Sequence, residues 1–368
     1  MENGIFNRLH FKYTGTIKEK EKEISMKKSL KLLLLPVVLF SLTACGNGEN
    51  SNEVTTAEAT DKLVVYSPNS EGIINAVVPL FEETYGIDVE LIQAGTGELM
   101  KRLSSETNDP YCDVMFGGSQ INYVVNKDLF QDYTSAGDAE LPEAYQNTLG
   151  YATSYVLDGR CLIVNKDLIG TTTVESYADL LKPELKGKIS YGDPANSSSA
   201  FSQLANMLLA MGGYESDAAW AYVGNLLEQI DCVLSPSSSG IYKGVADGEM
   251  TVGVSYEDPC AKLVQNGANV NLVYPSEGTV FSPSSMAIVK ESKNQINAQT
   301  FIDFVISKKV QDIFGSTLTN RPVRADAATG DYMTPIADIV TIQEDSEYVF
   351  SHKTEIVERF QELYISLQ

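Results

Sequence analysis

The stretch that decides the fold is residues 62–103, KLVVYSPNSEGIINAVVPLFEETYGIDVELIQAGTGELMKRL. It opens with a short apolar run at 62–67, followed by a segment whose apolar residues recur at helical spacing between 73 and 81. A second apolar run at 87–94 leads into a second helical pattern. Strands that alternate with helices predict a parallel sheet with right-handed crossovers.

The same alternation continues through the rest of the chain. A third strand is predicted at 112–118 and a third helix at 119–130, and strands and helices alternate again after residue 176. The segment TSYVLDGRCLIVN, 153–165, is predicted as two strands that turn at Asp158-Gly159. We expect the chain to leave its first lobe there.

The chain has 368 residues, which is more than one hydrophobic core usually serves. We therefore predict an α/β protein of two lobes, each a mostly parallel sheet flanked by helices, with a hinge between them. Lobe 1 is predicted to comprise residues 62–160 plus 276–368, and lobe 2 residues 161–275.

The N-terminal region has the pattern of an export signal. Basic residues follow Met26, an apolar run spans 32–42, and small residues precede Cys45. The run is shorter than the roughly 20 residues that a membrane-spanning helix needs. The end of the segment, LTAC at 42–45, resembles the lipobox of bacterial lipoproteins. This resemblance implies cleavage before Cys45, which would then carry the lipid. The alternative is a cleaved signal that ends near a cysteine by chance.

These features divide the front of the chain into three parts. Residues 26–44 are predicted to be a lipoprotein signal peptide, and 45–61 the lipidated cysteine with a polar, flexible tether. Residues 1–25 are predicted to be an upstream extension that precedes the true start. We expect an exported protein, anchored by lipid to the bacterial cell membrane on its outer side.

Composition excludes several functions. The formal net charge of -22 argues against nucleic acid as a partner, because phosphate backbones need clustered Lys and Arg. The sequence contains no nucleophile-elbow, P-loop or zinc-protease motif, and its two histidines are His10 and His352. We predict a protein that is not an enzyme and has no cofactor. The cysteines Cys112, Cys161, Cys232 and Cys260 allow three pairings, or stay as free thiols.

Small polar residues follow most of the predicted strands, where a helix begins. The ends of parallel strands share one edge of a sheet, and the first turn of a helix offers unpaired N–H groups to an anion. The same residue types are also good helix caps, so either role is open. The candidate ligand-binding residues are Ser67, Asn69, Ser70, Gly95, Thr96, Gly97, Gly118, Ser119, Ser197, Ser198, Ser199, Ser239, Tyr256, Glu257 and Asp258.

A family resemblance covers the chain from residue 62 onward. Residues 62–103, DVMFGGS at 113–119, GDPANSSSAF at 192–201 and VGVSYEDP at 252–259 together resemble the extracellular solute-binding proteins of ABC importers. The resemblance is to the cluster that includes ferric-ion, hexose-phosphate and aminoethylphosphonate binders. It implies a two-lobed periplasmic-binding-protein type II fold, a ligand held between the lobes, and a permease with its ATPase as partners.

The loops favour a small anionic solute, either a phosphorylated sugar or a phosphonate. Its phosphate would contact residues 95–97 and 197–199, and Arg160 is a candidate phosphate clamp. Glu257 or Asp258 would accept hydrogen bonds from sugar hydroxyls or pair with an ammonium group. Tyr66 and Tyr256 are candidates for packing on the carbon skeleton.

Three points stay open. Ferric ion is the alternative cargo, held by Tyr256, Tyr242 and Glu257, although the iron binders present two adjacent tyrosines in the loop where this chain has Tyr256. Asp258 is also a candidate N-cap, with Pro259 at the first helical position. A ligand-binding sensor for a membrane receptor is the alternative from another class. We expect a monomer that serves import.

Overall fold

We describe the protein from a computed structural model, which defines residues 61–235 and 237–368. The predicted upstream extension (1–25), the signal peptide (26–44), Cys45 and all of the tether but its last residue lie outside the described residues. Within the described part, the helices fall short of the length and apolar content that crossing a bilayer requires.

The strands of the described chain alternate with helices as the apolar pattern predicts. The strands are β1 (Lys62–Ser67), β2 (Asp88–Gln93), β3 (Val114–Ser119), β4 (Thr153–Asn165), β5 (Ile189–Ser190), β6 (Val252–Tyr256), β7 (Val270–Val273), β8 (Phe281–Ile288) and β9 (Arg321–Pro322). The helices are α1 (Glu71–Tyr85), α2 (Thr96–Ser105), α3 (Ile121–Val124), α4 (Ser198–Ala210), α5 (Asp217–Gln229), α6 (Ser238–Ala246), α7 (Glu257–Gln265), α8 (Gln295–Val305), α9 (Lys308–Ser316), α10 (Ser346–Ser351) and α11 (Lys353–Ser366).

The strands form a mixed sheet in the order β2-β1-β3-β8-β4-β6-β5, and β7 and β9 also pair with β4. Pairs β1–β2, β1–β3 and β5–β6 are parallel, as crossover helices require. The pairs that involve β4 or β8 are antiparallel, so the sheets are less parallel than predicted. We use lobe 1 for the part built on β1, β2, β3 and β8, and lobe 2 for the part built on β5, β6 and β7.

Strand β4 connects the two lobes and differs from the prediction. We expected two strands turning at Asp158-Gly159, but β4 is one continuous strand of 13 residues. Its first half pairs with β8 and its second half with β6 and β7. Gly159 serves close packing and not a turn: a β-carbon there would lie 2.3 Å from the ring of Phe281. The chain crosses between the lobes a second time between β7 and β8.

Each lobe has its own buried apolar core. In lobe 1, the apolar stripe of α1 packs with α8 and α9 against β1 and β3, where Phe81, Phe116 and Phe301 are fully buried. In lobe 2, α4 and α5 pack against β5 and β6 around Trp220 and Leu204. Burial of such side chains contributes about 1.5–3 kcal/mol each, so each lobe is stabilised by a core of its own.

The C-terminal segment packs differently from the prediction, which placed residues 276–368 in lobe 1. Val349, Ile356 and Phe360, from α10 and α11, belong to the core of lobe 2. The guanidinium of Arg359 lies over the ring of Trp220 on α5, 4.6 Å from its centroid. The apolar stripe of α11 therefore covers lobe 2, while α10 also contacts α3 of lobe 1.

One further segment departs from the predicted pattern. The sequence pattern at 176–189 predicts a helix and its exit, but this segment forms two short 3-10 turns, Ala178–Leu181 and Pro183–Leu185, because Pro183 cannot continue a helix. Residues 297–315 lie in α8 and α9, which are separated at Ser307, the N-cap residue of α9 with an extended backbone.

Candidate functional site

The loops that follow β1, β2 and β3 in lobe 1 lie directly against one another. Gly117 and Gly118 have φ angles of 121° and 92°, which disfavour side chains. A β-carbon on Gly117 would lie 2.9 Å from the side chain of Asn69, and one on Gly118 would lie 2.8 Å from that of Thr96. Glycine is therefore required here so that the third loop can approach the other two.

Some candidate residues in these loops are occupied by structural hydrogen bonds. The buried Ser67 hydroxyl donates to the Phe116 carbonyl at 2.6 Å and accepts from the Asn69 N–H. The Asn69 side chain donates to the same carbonyl and accepts from the Tyr155 hydroxyl at 2.6 Å. Tyr66 is fully buried, and its hydroxyl donates to the Glu106 carboxylate, so it packs in the core of lobe 1.

The start of α2 is open, in contrast to these loops. Gly95 is the N-cap residue of α2 and Gly97 lies in its first turn, and an added β-carbon would meet no atom within 4 Å at either position. Ser70, the N-cap residue of α1, is exposed, and its side chain makes no capping bond. The glycines of α2 thus leave the first-turn N–H groups accessible.

In lobe 2 the serines act partly as helix caps. The Ser197 hydroxyl accepts from the N–H of Ala200 and caps α4, and Ser237 caps α6 in the same way. Ser239 lies 3.3 Å from the Ser237 hydroxyl, while Ser198 and Ser199 occupy the first turn of α4. The capping role that the sequence left open is therefore real for Ser197.

The expected roles of Glu257 and Asp258 change. Helix α7 begins at Glu257 with Tyr256 as its N-cap residue, so Asp258 is not the cap and Pro259 is its third residue. Glu257 is buried in an ion pair with Arg321 and accepts from the Tyr274 hydroxyl. Asp258 accepts from the Thr319 hydroxyl at 2.7 Å, and burial raises the pKa of its carboxyl. Glu257 has no free oxygen to offer a ligand.

A cavity of about 300 Å³ lies between the lobes. Its walls come from the end of β3, from the middle of β4, from β8, from the start of α4 and from the C-terminal helices. The lining residues are Ser119, Ile121, Asn122, Asp158, Arg160, Ser198, Phe201, Ser202, Ser282, Pro283, Ser284, Glu344, Ser346, Val349, Phe350 and Lys353. Of the candidate residues, Ser119 from lobe 1 and Ser198 from lobe 2 line this cavity.

Arg160 is the buried cation of this cavity. Its side chain is 5% exposed, and its Nη1 donates to the Ser282 hydroxyl at 2.7 Å and to the Asp158 carbonyl at 2.8 Å. Its Nε is buried without a hydrogen-bond partner. Among the described residues, no carboxylate oxygen lies within 4 Å of the Arg160 nitrogens. A buried guanidinium with no carboxylate in direct contact is costly and suits an anion.

Lys353 provides a second cation on the opposite wall. Its ammonium lies 5.1 Å from the centroid of the Phe201 ring, a cation–π contact. The residue is exposed and reaches the cavity from the start of α11. The cavity therefore has one buried and one accessible positive group, with an aromatic ring beside the second.

Asp158 lies two residues before Arg160 on the same face of β4. Asp158 is an exposed residue, and partial loss of hydration of its carboxylate raises its pKa to about 6. The positive charge of Arg160 opposes the shift, whereas the charges of Asp258 and Glu257 add to it. Asp158 therefore changes its charge near neutral pH inside the cavity.

A smaller cavity of about 200 Å³ has a different character. It is lined by Arg321 and Arg324 among mostly apolar residues. Both guanidinium groups are already paired with carboxylates, Arg321 with Glu257 and Arg324 with Asp326 and Glu140. The interlobe cavity, with Arg160 unpaired, is thus the better anion site.

Two tyrosines of lobe 2 also lie together. The rings of Tyr242 and Tyr256 meet edge to face, with centroids 6.4 Å apart, although 14 residues separate them in sequence. Burial raises the pKa of both phenols. Two tyrosine rings are therefore in contact here without being adjacent in one loop.

Several lining residues were not found from the sequence. Asp158 was assigned to a turn, because an Asp-Gly pair favours one. Lys353 was placed with lobe 1, and Ser282 carries no motif. Arg160 was predicted as a phosphate clamp from its residue type. Only the pairing of β4 with β8 brings Arg160 and Ser282 into contact.

Known proteins share this architecture. The family model for bacterial extracellular solute-binding proteins matches residues 76–341. The chain is 26% identical to the Fe(3+)-binding periplasmic protein of Serratia marcescens over 81% of this chain and 89% of that protein. It is 24% identical to a putative 2-aminoethylphosphonate-binding periplasmic protein of Salmonella paratyphi A, over 68% and 74%.

The fold is shared with the periplasmic binding protein AfuA of Actinobacillus pleuropneumoniae, solved with fructose-6-phosphate bound. The TM-score is 0.67 at 22% identity, over 82% of this chain and 98% of that chain. The predicted two-lobed periplasmic-binding-protein type II fold is confirmed. The family match spans most of the chain; the protein belongs to the bacterial extracellular solute-binding proteins.

Proposed function

We propose that this protein is the substrate-binding lipoprotein of an ABC importer and that it captures a small anionic solute, a phosphorylated sugar or a phosphonate, between its lobes. The observation that carries the proposal is the buried Arg160 guanidinium with no carboxylate partner among the described residues. It faces a cavity of about 300 Å³, the size of a small-molecule site.

A phosphate or phosphonate group supplies what Arg160 lacks. Its oxygens would accept from the part of the guanidinium that the cavity exposes, where the planar group favours arginine over lysine. The hydroxyls of Ser119 and Ser198 and the ammonium of Lys353 would surround the remaining oxygens. Asp158 would accept from a sugar hydroxyl or pair with an ammonium group of the same ligand.

Capture would proceed by closure of the cleft. Ser119 belongs to lobe 1 and Ser198 to lobe 2, so a ligand bound by both stabilises the state in which the lobes approach. A differential affinity of about 10⁴ is needed to move a mostly open population to a mostly closed one. The closed form would be the one that the permease recognises. Cys45 would carry the lipid that keeps the monomeric protein at the membrane outside the cell.

The test is a binding panel. Thermal unfolding of the exported protein is measured with hexose phosphates, 2-aminoethylphosphonate, inorganic phosphate, polyamines and ferric citrate. We expect stabilisation by a phosphorylated or phosphonate compound. Arg160→Gln should weaken its binding about 10–100-fold, the effect of a charge-assisted hydrogen bond. Arg359→Gln, a surface arginine on α11, is the matched control and should bind normally. Equal affinity in both variants would contradict the proposal.

A ferric cargo is the second candidate, and the pairing of Tyr242 with Tyr256 favours it. Phenolates are hard oxygen ligands that suit Fe(III). The described residues hold no cluster of three or more His, Cys, Asp or Glu placed for a metal, so the tyrosines would carry the site. Ferric citrate should then produce a visible phenolate-to-iron absorption band that Tyr256→Phe abolishes. If that band appears and phosphorylated compounds do not stabilise the protein, the solute would be ferric ion and not an anion.

A further inference from the structure

Two buried cysteines of lobe 2 belong to the same small cluster of side chains. Cys161 lies on β4 immediately after Arg160, and Cys260 lies in the second turn of α7. Both side chains are 0% exposed and belong to one small apolar cluster between the sheet and α7. Both are free thiols in the structure, and the Cys260 thiol adds to the rise that burial causes in the pKa of the Cys161 thiol.

The remaining described cysteines have other surroundings. Cys112 is buried in the core of lobe 1, where its thiol contacts the Val114 carbonyl at 3.2 Å. Cys232 is half-buried beside the C-terminal helix, 4.0 Å from the Leu367 carbonyl. The fold therefore favours one of the three pairings that the sequence allowed.

We propose that Cys161 and Cys260 are oxidised to an intramolecular disulfide when the exported protein folds. This proposal does not depend on which solute is bound. Disulfides persist in the oxidising space outside the cell membrane, where members of this family act.

The chemistry is a thiol–disulfide exchange with an oxidised dithiol carrier protein. The thiolate of one cysteine attacks the carrier disulfide and forms a mixed disulfide; the second cysteine then displaces the carrier thiol. The two cysteines lose two protons and two electrons in total, and the carrier disulfide becomes two thiols.

The exchange must precede the completion of the fold. Burial raises the pKa of the Cys161 thiol well above its ordinary value, so the thiolate is scarce in the folded protein. Both sulfurs are also inaccessible to a carrier once α7 covers β4. Packing of the shared cluster brings the two thiols together, and the apolar surroundings then protect the bond from reduction.

The bond would act on the proposed binding cleft. It joins the residue next to Arg160 to the helix that begins right after Tyr256. The start of α7 would then be held against the hinge strand during lobe movement. The closed loop from 161 to 260 is long, which increases the constraint on the unfolded chain.

Peptide mapping tests the bond directly. The full chain is exported by a bacterial host with an oxidising envelope, denatured, alkylated without reduction and digested with trypsin. We expect residues 161–166 and 244–262 to be recovered as one linked pair, lighter than the sum of the free peptides by two hydrogens. Reduction before alkylation should release both. Alkylation of both cysteines without reduction, or a link to Cys112 or Cys232, would overturn the proposal.

A stability measurement provides the second readout. The urea midpoint of the wild type should fall when dithiothreitol is present, and Cys112→Ser, the matched buried control, should show the same fall. Cys161→Ser should show no dependence on the reductant. A wild-type midpoint that dithiothreitol leaves unchanged would contradict a stabilising disulfide.

Discussion

Arg321 and Glu257 form a buried ion pair, with Nε of Arg321 2.8 Å from Oε2 of Glu257 and the two side chains 4% and 2% exposed. Arg321 belongs to β9, which pairs with β4 at Leu157, whereas Glu257 begins α7 in lobe 2. The guanidinium also lies over the ring of Phe281, 5.0 Å from its centroid. The pair therefore joins both lobes at the hinge and removes Glu257 from the ligand site.

Loss of one partner should be costly. Glu257→Ala is expected to lower the free energy of unfolding by about 3–5 kcal/mol, because it leaves the Arg321 charge buried and unpaired. Urea denaturation measures the change. The control is Asp109→Asn, which removes an ion pair on the surface. The side chains of Asp109 and Lys293 in that pair are 82% and 63% accessible. The control should lower the free energy of unfolding by less than about 1 kcal/mol. Equal effects of the two variants would show that the buried pair does not stabilise the hinge.

Asp158 should make stability depend on pH. Because its pKa is higher in the folded protein, about 6, than its ordinary value of 3.8, folding favours the protonated form. That stabilisation is complete below pH 3.8 and is lost as the pH rises through about 6. The side chain introduced by Asp158→Asn cannot ionise. The free energy of unfolding of this variant should therefore rise relative to that of the wild type as the pH increases through about 6. Denaturation curves from pH 4 to 7 check the sign, and a constant difference between the variants would contradict it.

Gly159 should tolerate no side chain. Gly159→Ala places a β-carbon 2.3 Å from the Phe281 ring, which the Arg321 guanidinium covers. We expect a loss of about 1–3 kcal/mol from overpacking. Gly97→Ala is the matched control, since an added β-carbon meets no atom within 4 Å there; it should be neutral or stabilise by up to about 1 kcal/mol. Thermal denaturation separates the two outcomes.

Gly97 also tests the role of α2 in binding. Gly97→Val should leave the melting temperature nearly unchanged, because the side chain would point into open space. If the first turn of α2 contacts the solute, the same side chain should reduce affinity about tenfold or more by blocking the N–H groups. Calorimetric titration with the compound that responds in the thermal panel measures this. Unchanged affinity would remove this loop from the site.

Much of the fold could be predicted from local pattern. The apolar spacing of α1 and the runs at β1 and β2 reflect which residues face a core, and this is visible within a few turns of chain. The Asp158-Gly159 pair shows where that reasoning fails. Its local preference is a turn, but pairing with β8 and the fit of Phe281 over Gly159 keep the strand continuous.

The candidate site was predicted less completely, because contacts between distant parts of the chain decide which side chains meet there. The sequence named Ser119, Ser198 and Arg160 by residue type, since small polar residues at helix starts and an arginine suit an anion. It did not find Lys353, because Lys353 begins α11, a helix that was predicted in lobe 1 but packs on lobe 2. It also assigned Glu257 to the ligand, because the arginine that neutralises it lies 64 residues away.

The sequence by itself determined most of the order of strands and helices, because that order depends on local periodicity, and its motifs carried the family resemblance and the export pattern. The tertiary structure alone decided which charges stay free. Glu257 is neutralised by Arg321 across the hinge, whereas Arg160 reaches Ser282, 122 residues away, with no carboxylate near its nitrogens among the described residues. Charge pairing depends on distance in space, which strand register and packing set and which residue order alone does not reveal.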